Sequence, residues 1–275
     1  MFSWFLEELP GVFHDAVLPL LHATDRAVME RVSRGMQAAV VSWGLPRVGT
    51  SKDLPMHVQT FFATLETIAW AKKNRCPWST RLCAEAAGGG HLEVLRWLWE
   101  NDCPHDKATC EHAAQGGHLE VLKWAREEQQ CHWDAETCAR AAWGGHLEVL
   151  KWAREHNCPW DTETCAGAAW GGHLEVLKWA REQQCPCPWN AETCAEAAAG
   201  GHLEVLMWAR EQQCPCPWDT ETCALAAEGG HLEVLMWARE HCCPWDAQTH
   251  ELAVQYGHTE VVRWAEVNGC PTTSL

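Results

Sequence analysis

One seven-residue phrase, His-Leu-Glu-Val-Leu-Lys-Trp, recurs along the chain and limits its fold more than any other feature. It stands in full at His118–Trp124, His146–Trp152 and His173–Trp179. Close variants occupy His91–Trp97, His202–Trp208, His231–Trp237 and His258–Trp264. Successive histidines of this series are 27 to 29 residues apart. A fixed period of this size indicates small supersecondary units that bury their apolar faces by stacking on one another.

The unit at residues 158–184 shows how each repeat is expected to fold. Asp161 is a good N-cap, and the alanine-rich stretch that follows it favours a short helix ending near Trp170. The pair Gly171-Gly172 stops this helix, and a second amphipathic helix begins near His173. The Cys-Pro pair then separates one unit from the next. The sequence therefore predicts an all-α fold, a solenoid of helix–turn–helix repeats.

The phrase Ala-Ala-x-Gly-Gly-His-Leu-Glu-Val-Leu, which returns over residues 51–271, resembles the ankyrin repeat. Two features depart from that family. Its Thr-Pro-Leu-His tetrapeptide reads Glu-Thr-Cys-Ala at Glu136–Ala139, and the step is about six residues shorter than the usual ankyrin length. The resemblance therefore implies an ankyrin-like solenoid with reduced or absent β-hairpin fingers, whose first helices line a concave binding surface.

Composition narrows the possible partners and the compartment. The chain carries 21 Lys and Arg residues against 37 Asp and Glu residues, a formal net charge of −16. Such a surface repels phosphate backbones, so we expect no nucleic acid partner. The start lacks the pattern of a signal peptide, and no apolar run approaches the roughly 20 residues that cross a bilayer. We expect a soluble, intracellular monomer, cytoplasmic or nuclear, that does not bind membranes.

Cysteine, histidine and tryptophan are abundant, but most of them stand at fixed repeat positions. The 17 cysteines are odd in number, which favours reduced thiols over a disulfide framework. The histidine after each Gly-Gly pair is expected to start a helix and to bond to a neighbouring loop. The tryptophans are expected to be packing residues. The cysteines predicted to be small buried thiols on first helices are Cys83, Cys110, Cys138, Cys165, Cys194 and Cys223.

Metal binding is the alternative interpretation of these residues. Successive repeats lie roughly 10 Å apart, so their histidines are too distant to share one zinc ion. The loop pairs Cys185/Cys187 and Cys242/Cys243 lack a second pair nearby in the sequence. We therefore expect no metal and no cofactor, with a zinc- or thiol-dependent activity as the remote alternative.

The informative positions are those that vary inside the constant frame. Two columns of first-helix residues, three positions apart and so on one helix face, change from repeat to repeat. Trp143 and Trp170 fall in neighbouring repeats beside Arg140, and Trp and Arg are typical interface anchors. Unconstrained drift of a solvated face is the alternative. The predicted partner-binding groove consists of His112, Arg140, Trp143, Trp170, Glu196, Leu225 and Glu228.

Residues 1–43 lack the repeat and resemble an F-box. The order of Leu-Pro, a Val-Leu pair, an acidic helix start and Val-Ser-Arg carries this resemblance, although the tryptophan that usually follows Val-Ser-Arg is missing. F-boxes bind the Skp adaptor of cullin ubiquitin ligases. By resemblance, the adaptor would be contacted by Leu9, Pro10, Val17, Leu18, Leu21 and Val32. The alternative is a helical cap over the apolar end of the solenoid.

These observations give a domain layout and three functional hypotheses. We expect an F-box-like or capping segment at 1–43, a linker at 44–55, about eight repeats over 56–271 and a tail at 272–275. The first hypothesis is a non-enzymatic protein-interaction module, and the second is a substrate receptor of a Skp-cullin ligase. The third, an enzyme, is disfavoured because catalysis needs its groups assembled once in a pocket, whereas here they repeat many times.

Overall fold

The computed structural model describes residues 78–272, together with positions 65, 68, 69 and 72. The chain divides into two compact units, Met1–Asp106 (unit 1) and Lys107–Leu275 (unit 2). Within the described residues the secondary structure is helical, with fourteen α-helices and no strand.

The helices come in pairs, and each repeat contributes a first helix and a second helix. In unit 1 these are α1 (Thr80–Gly88) and α2 (Leu92–Glu100). In unit 2 the helix α4 is extended by a π-helical turn at Trp124–Glu128. The helices of unit 2 are α3 (Ala108–Gln115), α4 (Leu119–Lys123), α5 (Ala135–Trp143), α6 (Leu147–Glu155), α7 (Thr162–Trp170), α8 (Leu174–Glu182), α9 (Ala191–Ala199), α10 (Leu203–Glu211), α11 (Thr220–Glu228), α12 (Leu232–Glu240), α13 (Ala247–Gln255) and α14 (Thr259–Val267).

The helix boundaries predicted for the unit at 158–184 are confirmed. The Asp161 carboxylate accepts the backbone N–H of Glu163 at 3.1 Å, which makes it the N-cap of α7. The helix ends at Trp170, and Gly172 then takes φ +72°, a left-handed conformation that favours glycine. Helix α8 begins directly after His173. The short loop that follows each second helix contains no strand in the described repeats, so the predicted absence of β-hairpin fingers is confirmed there.

Within unit 2, the first helices of successive repeats pack directly against one another, from α3 through α13. Buried alanines make this possible: Ala139, Ala141 and Ala142 of α5 are at most 8% exposed, and their small side chains let the helix backbones approach. The second helices supply the larger apolar residues. A fully buried leucine stands at the same position of α4, α6, α8, α10 and α12, at Leu122, Leu150, Leu177, Leu206 and Leu235.

Within unit 2, a ladder of histidines ties each repeat after the first to the one before it. His173 Nε2 lies 3.1 Å from the carbonyl oxygen of Trp143, and His202 Nε2 lies 2.9 Å from that of Trp170. A carbonyl oxygen only accepts, so Nε2 donates in each bond. The acceptors belong to the last residues of first helices, whose carbonyls have no partner within the helix. The predicted helix-start position of these histidines is confirmed, but their partner is the end of a first helix and not a loop. Equivalent bonds join His146 to Gln115, His231 to Ala199 and His258 to Glu228.

The cysteines form a second ladder on the loop side of unit 2. The thiol of Cys187 donates to the carbonyl oxygen of Asp161, the N-cap of the preceding repeat, at 3.2 Å. The same loop cysteine lies against the helical Cys165, and five repeats of unit 2 bury such a pair of thiols. The prediction of buried helical thiols is confirmed. The loop thiols that make the equivalent bond are Cys158, Cys216, Cys243 and Cys270.

Tryptophan and arginine close the loops between repeats. The ring of Trp189 meets that of Trp208 edge-on at 6.0 Å between centroids. The guanidinium carbon of Arg181 lies 4.0 Å from the centroid of Trp189, and Arg181 also donates to the carbonyl of Cys187 at 2.5 Å. A cation over an aromatic face stabilises this corner. Because the same triad recurs through unit 2, these tryptophans are packing residues, as the sequence predicts.

The fold class predicted from the sequence is confirmed for the described residues, which form all-α, ankyrin-like helix–turn–helix repeats. The two interpretations of residues 1–43, an F-box-like segment and a helical cap, concern residues outside the described part of the chain. The predicted division of the chain at residues 43, 55 and 271 stays a prediction.

Replacing Trp152 by Ala should lower the free energy of unfolding by about 3–5 kcal/mol, the range for large buried side chains. Trp152 is 9% exposed, packs edge-on against Trp133 at 5.7 Å and stacks on His156. The matched variant Trp170→Ala removes a ring that is 43% exposed and should cost only about 1 kcal/mol. Urea unfolding followed by circular dichroism measures both, and equal losses would contradict the assignment of packing and surface tryptophans.

Stability should decrease on acidification partly through His146. Burial holds the pKa of His146 below its ordinary value of 6.5, against the opposing effect of its bond to Gln115. The unfolded state therefore binds more protons between the folded and unfolded pKa values, so the stabilisation present above pH 6.5 is lost as the pH falls. His146→Gln keeps an N–H donor and should show a smaller loss.

The measurement is the free energy of unfolding at a series of pH values between about 5 and 8. The matched control is His132→Gln, the same substitution at an exposed residue outside the helices, measured over the same pH range. If His146→Gln retains the full wild-type dependence, neutral His146 is not a source of it.

Candidate functional site

A groove opens on the first-helix side of unit 2, across helices α5, α7 and α9. It has a volume of about 280 Å³ and is open to solvent. We call it the tryptophan groove, because two of its walls are indole rings. Its lining residues are Glu136, Ala139, Arg140, Trp143, Glu163, Ala166, Gly167, Trp170, Glu192 and Glu196.

Trp143 and Trp170 stack on each other in neighbouring repeats. Their ring centroids are 5.2 Å apart and their planes differ by 19°. The rings nevertheless remain 38% and 43% exposed. They are the last residues of α5 and α7, so the backbone of each is held by the histidine of the following repeat. The groove therefore presents one continuous aromatic surface built from two neighbouring repeats.

Glycine and alanine form the floor of the groove. At Gly167 a Cβ atom would lie 3.0 Å from the carbonyl oxygen of Ala139 and 3.4 Å from Cβ of Trp143. This position is therefore crowded by the neighbouring repeat. Since Gly167 has no side chain, the space between Arg140 on α5 and Glu196 on α9 stays open.

Carboxylates dominate the charge of the tryptophan groove. The one cationic lining residue, Arg140, donates to Glu136 at 2.7 Å, one turn earlier on α5. Glu163, Glu192 and Glu196 add three further carboxylates from α7 and α9. The groove lining is therefore strongly negative.

The carboxylates of the groove disfavour one another's ionisation. Desolvation raises the pKa of Glu163 above its ordinary value, and the charges of Glu192, Asp161 and Glu136 raise it further. Desolvation likewise raises the pKa of Glu196, followed by Glu192, Glu163 and Glu221. Folding thus brings these glutamates together without supplying enough positive charge to balance them.

Four of the residues predicted for the binding groove meet in the tryptophan groove, and three do not. Arg140, Trp143, Trp170 and Glu196 line it. The others lie on first helices to either side: His112 on α3, and Leu225 and Glu228 on α11, all partly buried. The Glu228 carboxylate bonds to the hydroxyl of Tyr256 in the following repeat, which raises the pKa of Tyr256.

The sequence interpretation missed three charged residues of the groove, Glu136, Glu163 and Glu192. Each stands four positions before a column residue, and residues four apart share a helix face. That spacing was available in the sequence. The same glutamates stand in the first turns of α5, α7 and α9, where negative charge favours the helix, and this role is compatible with lining the groove.

The described residues contain no group of three or more His, Cys, Asp or Glu side chains placed to hold a metal ion. None of the described helices has the length and apolar character needed to cross a bilayer.

No protein-family model matches the sequence, and a comparison with curated proteins finds no match. Among solved structures, the chain is similar to the crystal structure of the human ASB11 ankyrin repeat domain. The two share 16% sequence identity with a TM-score of 0.43, and the likeness covers 59% of this chain and 84% of that one. By their own geometry, with paired helices joined through a turn that ends in Gly-His and stacked through the first helices, the described repeats are ankyrin-like.

Proposed function

We propose that the chain is a non-enzymatic protein-interaction module that holds a protein segment along the first-helix side of unit 2. The exposed Trp143–Trp170 stack is the observation that carries the proposal. Large aromatic rings are enriched among the residues that dominate binding energy at protein interfaces. The proposed binding surface consists of His112, Arg140, Trp143, Trp170, Glu196, Leu225 and Glu228.

The packing of unit 2 supports this side as the binding face. Successive first helices approach one another more closely than successive second helices do. The first helices therefore occupy the narrower side of the stack, where side chains from several repeats converge. A segment lying across this side would contact residues from at least α5, α7 and α9 at once, which line the tryptophan groove together.

The state of the thiols supports a non-enzymatic role. A nucleophilic cysteine needs a lowered pKa and access to its substrate. In unit 2 the helical cysteines are buried, and their contact with the loop cysteine together with burial raises their pKa. The same arrangement recurs in five repeats, as expected of packing residues.

The double variant Trp143→Ala/Trp170→Ala should lose binding while remaining folded. Peptides selected from an unbiased displayed library on the full-length chain serve as probes, and calorimetry compares their affinity for the wild type and the variant. We expect a loss of at least about tenfold, because truncation of central aromatic anchors removes much of an interface's energy.

The matched control is Val254→Ala, which truncates a 54% exposed apolar residue of α13 outside the tryptophan groove. This variant should bind the selected peptides as the wild type does. The proposal fails if the selection returns no peptide whose binding depends on the two tryptophans.

The more specific function, a substrate receptor of a Skp-cullin ligase, rests on the F-box-like residues Leu9, Pro10, Val17, Leu18, Leu21 and Val32. These lie outside the described residues, so the hypothesis depends on the sequence alone. It requires the N-terminal segment to bind a Skp-type adaptor while the repeats bind the target.

Calorimetry of the full chain and of residues 44–275 with a purified Skp-type adaptor tests this function. Micromolar or tighter binding that is lost in the shorter form is the expected result for a receptor. Absence of binding by the full chain would reject the receptor function and leave the interaction module unaffected.

A further inference from the structure

The charge of the tryptophan groove limits the partner that it can accept. Four glutamates line it, and the single arginine is already bonded to one of them. A partner with acidic side chains would add negative charge to a site that lacks balancing cations. A partner with basic side chains would instead relieve the repulsion among Glu163, Glu192 and Glu196.

The aromatic wall favours the same kind of partner. Two stacked rings leave the outer face of each indole outside the pair, and both rings are substantially exposed. Tryptophan offers the best aromatic face for a cation, because its ring quadrupole attracts positive charge. The protein already uses this contact in its own loops, where Arg154 lies 4.1 Å from the centroid of Trp160.

The floor provides room for a long side chain between the rings and the carboxylates. Gly167 and the small residues Ala139 and Ala166 lie beneath the opening. The groove has a volume of about 280 Å³ and opens to solvent, so a long side chain can enter it from a segment that lies across the surface. Arginine and lysine carry apolar stems that pack on such surfaces while their charged ends reach polar groups.

We propose that the tryptophan groove receives a basic protein segment, with an arginine or lysine side chain lying against the Trp143–Trp170 stack and its charge directed to Glu163 and Glu196. This proposal rests on the proposed function, because it names the chemistry of the segment that the same groove would hold. Desolvation of a cation between an aromatic face and carboxylates strengthens both contacts relative to water.

The direct test uses a fluorescein-labelled peptide of alternating arginine and glycine, followed by fluorescence anisotropy with the full-length chain. The variant Glu163→Gln/Glu196→Gln should weaken binding at least about tenfold, as expected for the loss of charge-assisted contacts. The same peptide with citrulline in place of arginine keeps the shape but not the charge, and it should not bind measurably.

A second pair of charges separates groove binding from general attraction to an acidic protein. Glu204 and Glu233 are exposed on the second helices α10 and α12, outside the groove. The variant Glu204→Gln/Glu233→Gln removes the same net charge and should change affinity by less than about twofold. If both double variants weaken binding equally, or if the citrulline peptide binds as well as the arginine peptide, the proposal is overturned.

The peptide selection described above distinguishes this proposal from the proposed function. Tryptophan-dependent peptides enriched in arginine or lysine support both. Tryptophan-dependent peptides that are acidic or neutral overturn the basic partner and leave the interaction module standing. A selection without tryptophan-dependent peptides overturns both, and circular dichroism of each variant verifies that it is folded.

Discussion

The bond from each helix-starting histidine to a carbonyl of the preceding repeat is the constraint on which the rest of unit 2 depends. It satisfies a helix-end carbonyl that would otherwise lack a protein partner, and it fixes the register of one repeat against the next. It also explains the glycine pair. A Cβ atom at Gly145 would lie 2.5 Å from the ring of His173, and one at Gly144 would lie 2.5 Å from His146. Both positions require glycine because the histidine rings occupy the space that a side chain would need. Gly145 also has a left-handed φ of +73°, which favours glycine.

The same bond involves only the backbone at the variable positions, so the side chains there can differ from repeat to repeat. Each acceptor carbonyl belongs to the residue that ends a first helix, and in two successive repeats these residues are Trp143 and Trp170. Because the repeat holds this residue through its backbone, the stacking of repeats makes no demand on its side-chain type. Equivalent positions carry glutamine at Gln115 and alanine at Ala199 without loss of the bond. In a repeat of this kind the backbone at these positions is held in place while the side-chain type can vary. Such positions are suitable for a binding surface.

The sequence alone was enough to predict the helix boundaries within a repeat. It was not enough to predict which side chains of neighbouring repeats contact each other. The cap at Asp161, the helix end at Trp170 and the start after His173 follow from residue types and spacing, and each is confirmed. The stacking of Trp143 on Trp170 at 5.2 Å depends on how closely neighbouring first helices approach, and no single repeat encodes that distance. The gathering of Glu163 and Glu196 in one groove depends on the same approach. The regular repeat in the sequence indicates that the units stack. The packing of neighbouring first helices then determines which side chains of different repeats meet.

The negative charge of the tryptophan groove lowers the stability of the folded state slightly. Folding raises the pKa of Glu163 and Glu196, by desolvation first and then by neighbouring carboxylates. The folded state therefore binds these protons more tightly than the unfolded state does, and their contribution to stability is lost as the pH rises through the raised pKa values. At neutral pH the ionised pair opposes folding slightly, an effect that solvent screening limits because Glu163 is exposed. Unit 2 tolerates this unfavourable arrangement because its stability is distributed over bonds between successive repeats, none of which involves these two side chains. Glu163 and Glu196 oppose folding and take no part in the stacking of repeats, as expected of residues that serve binding.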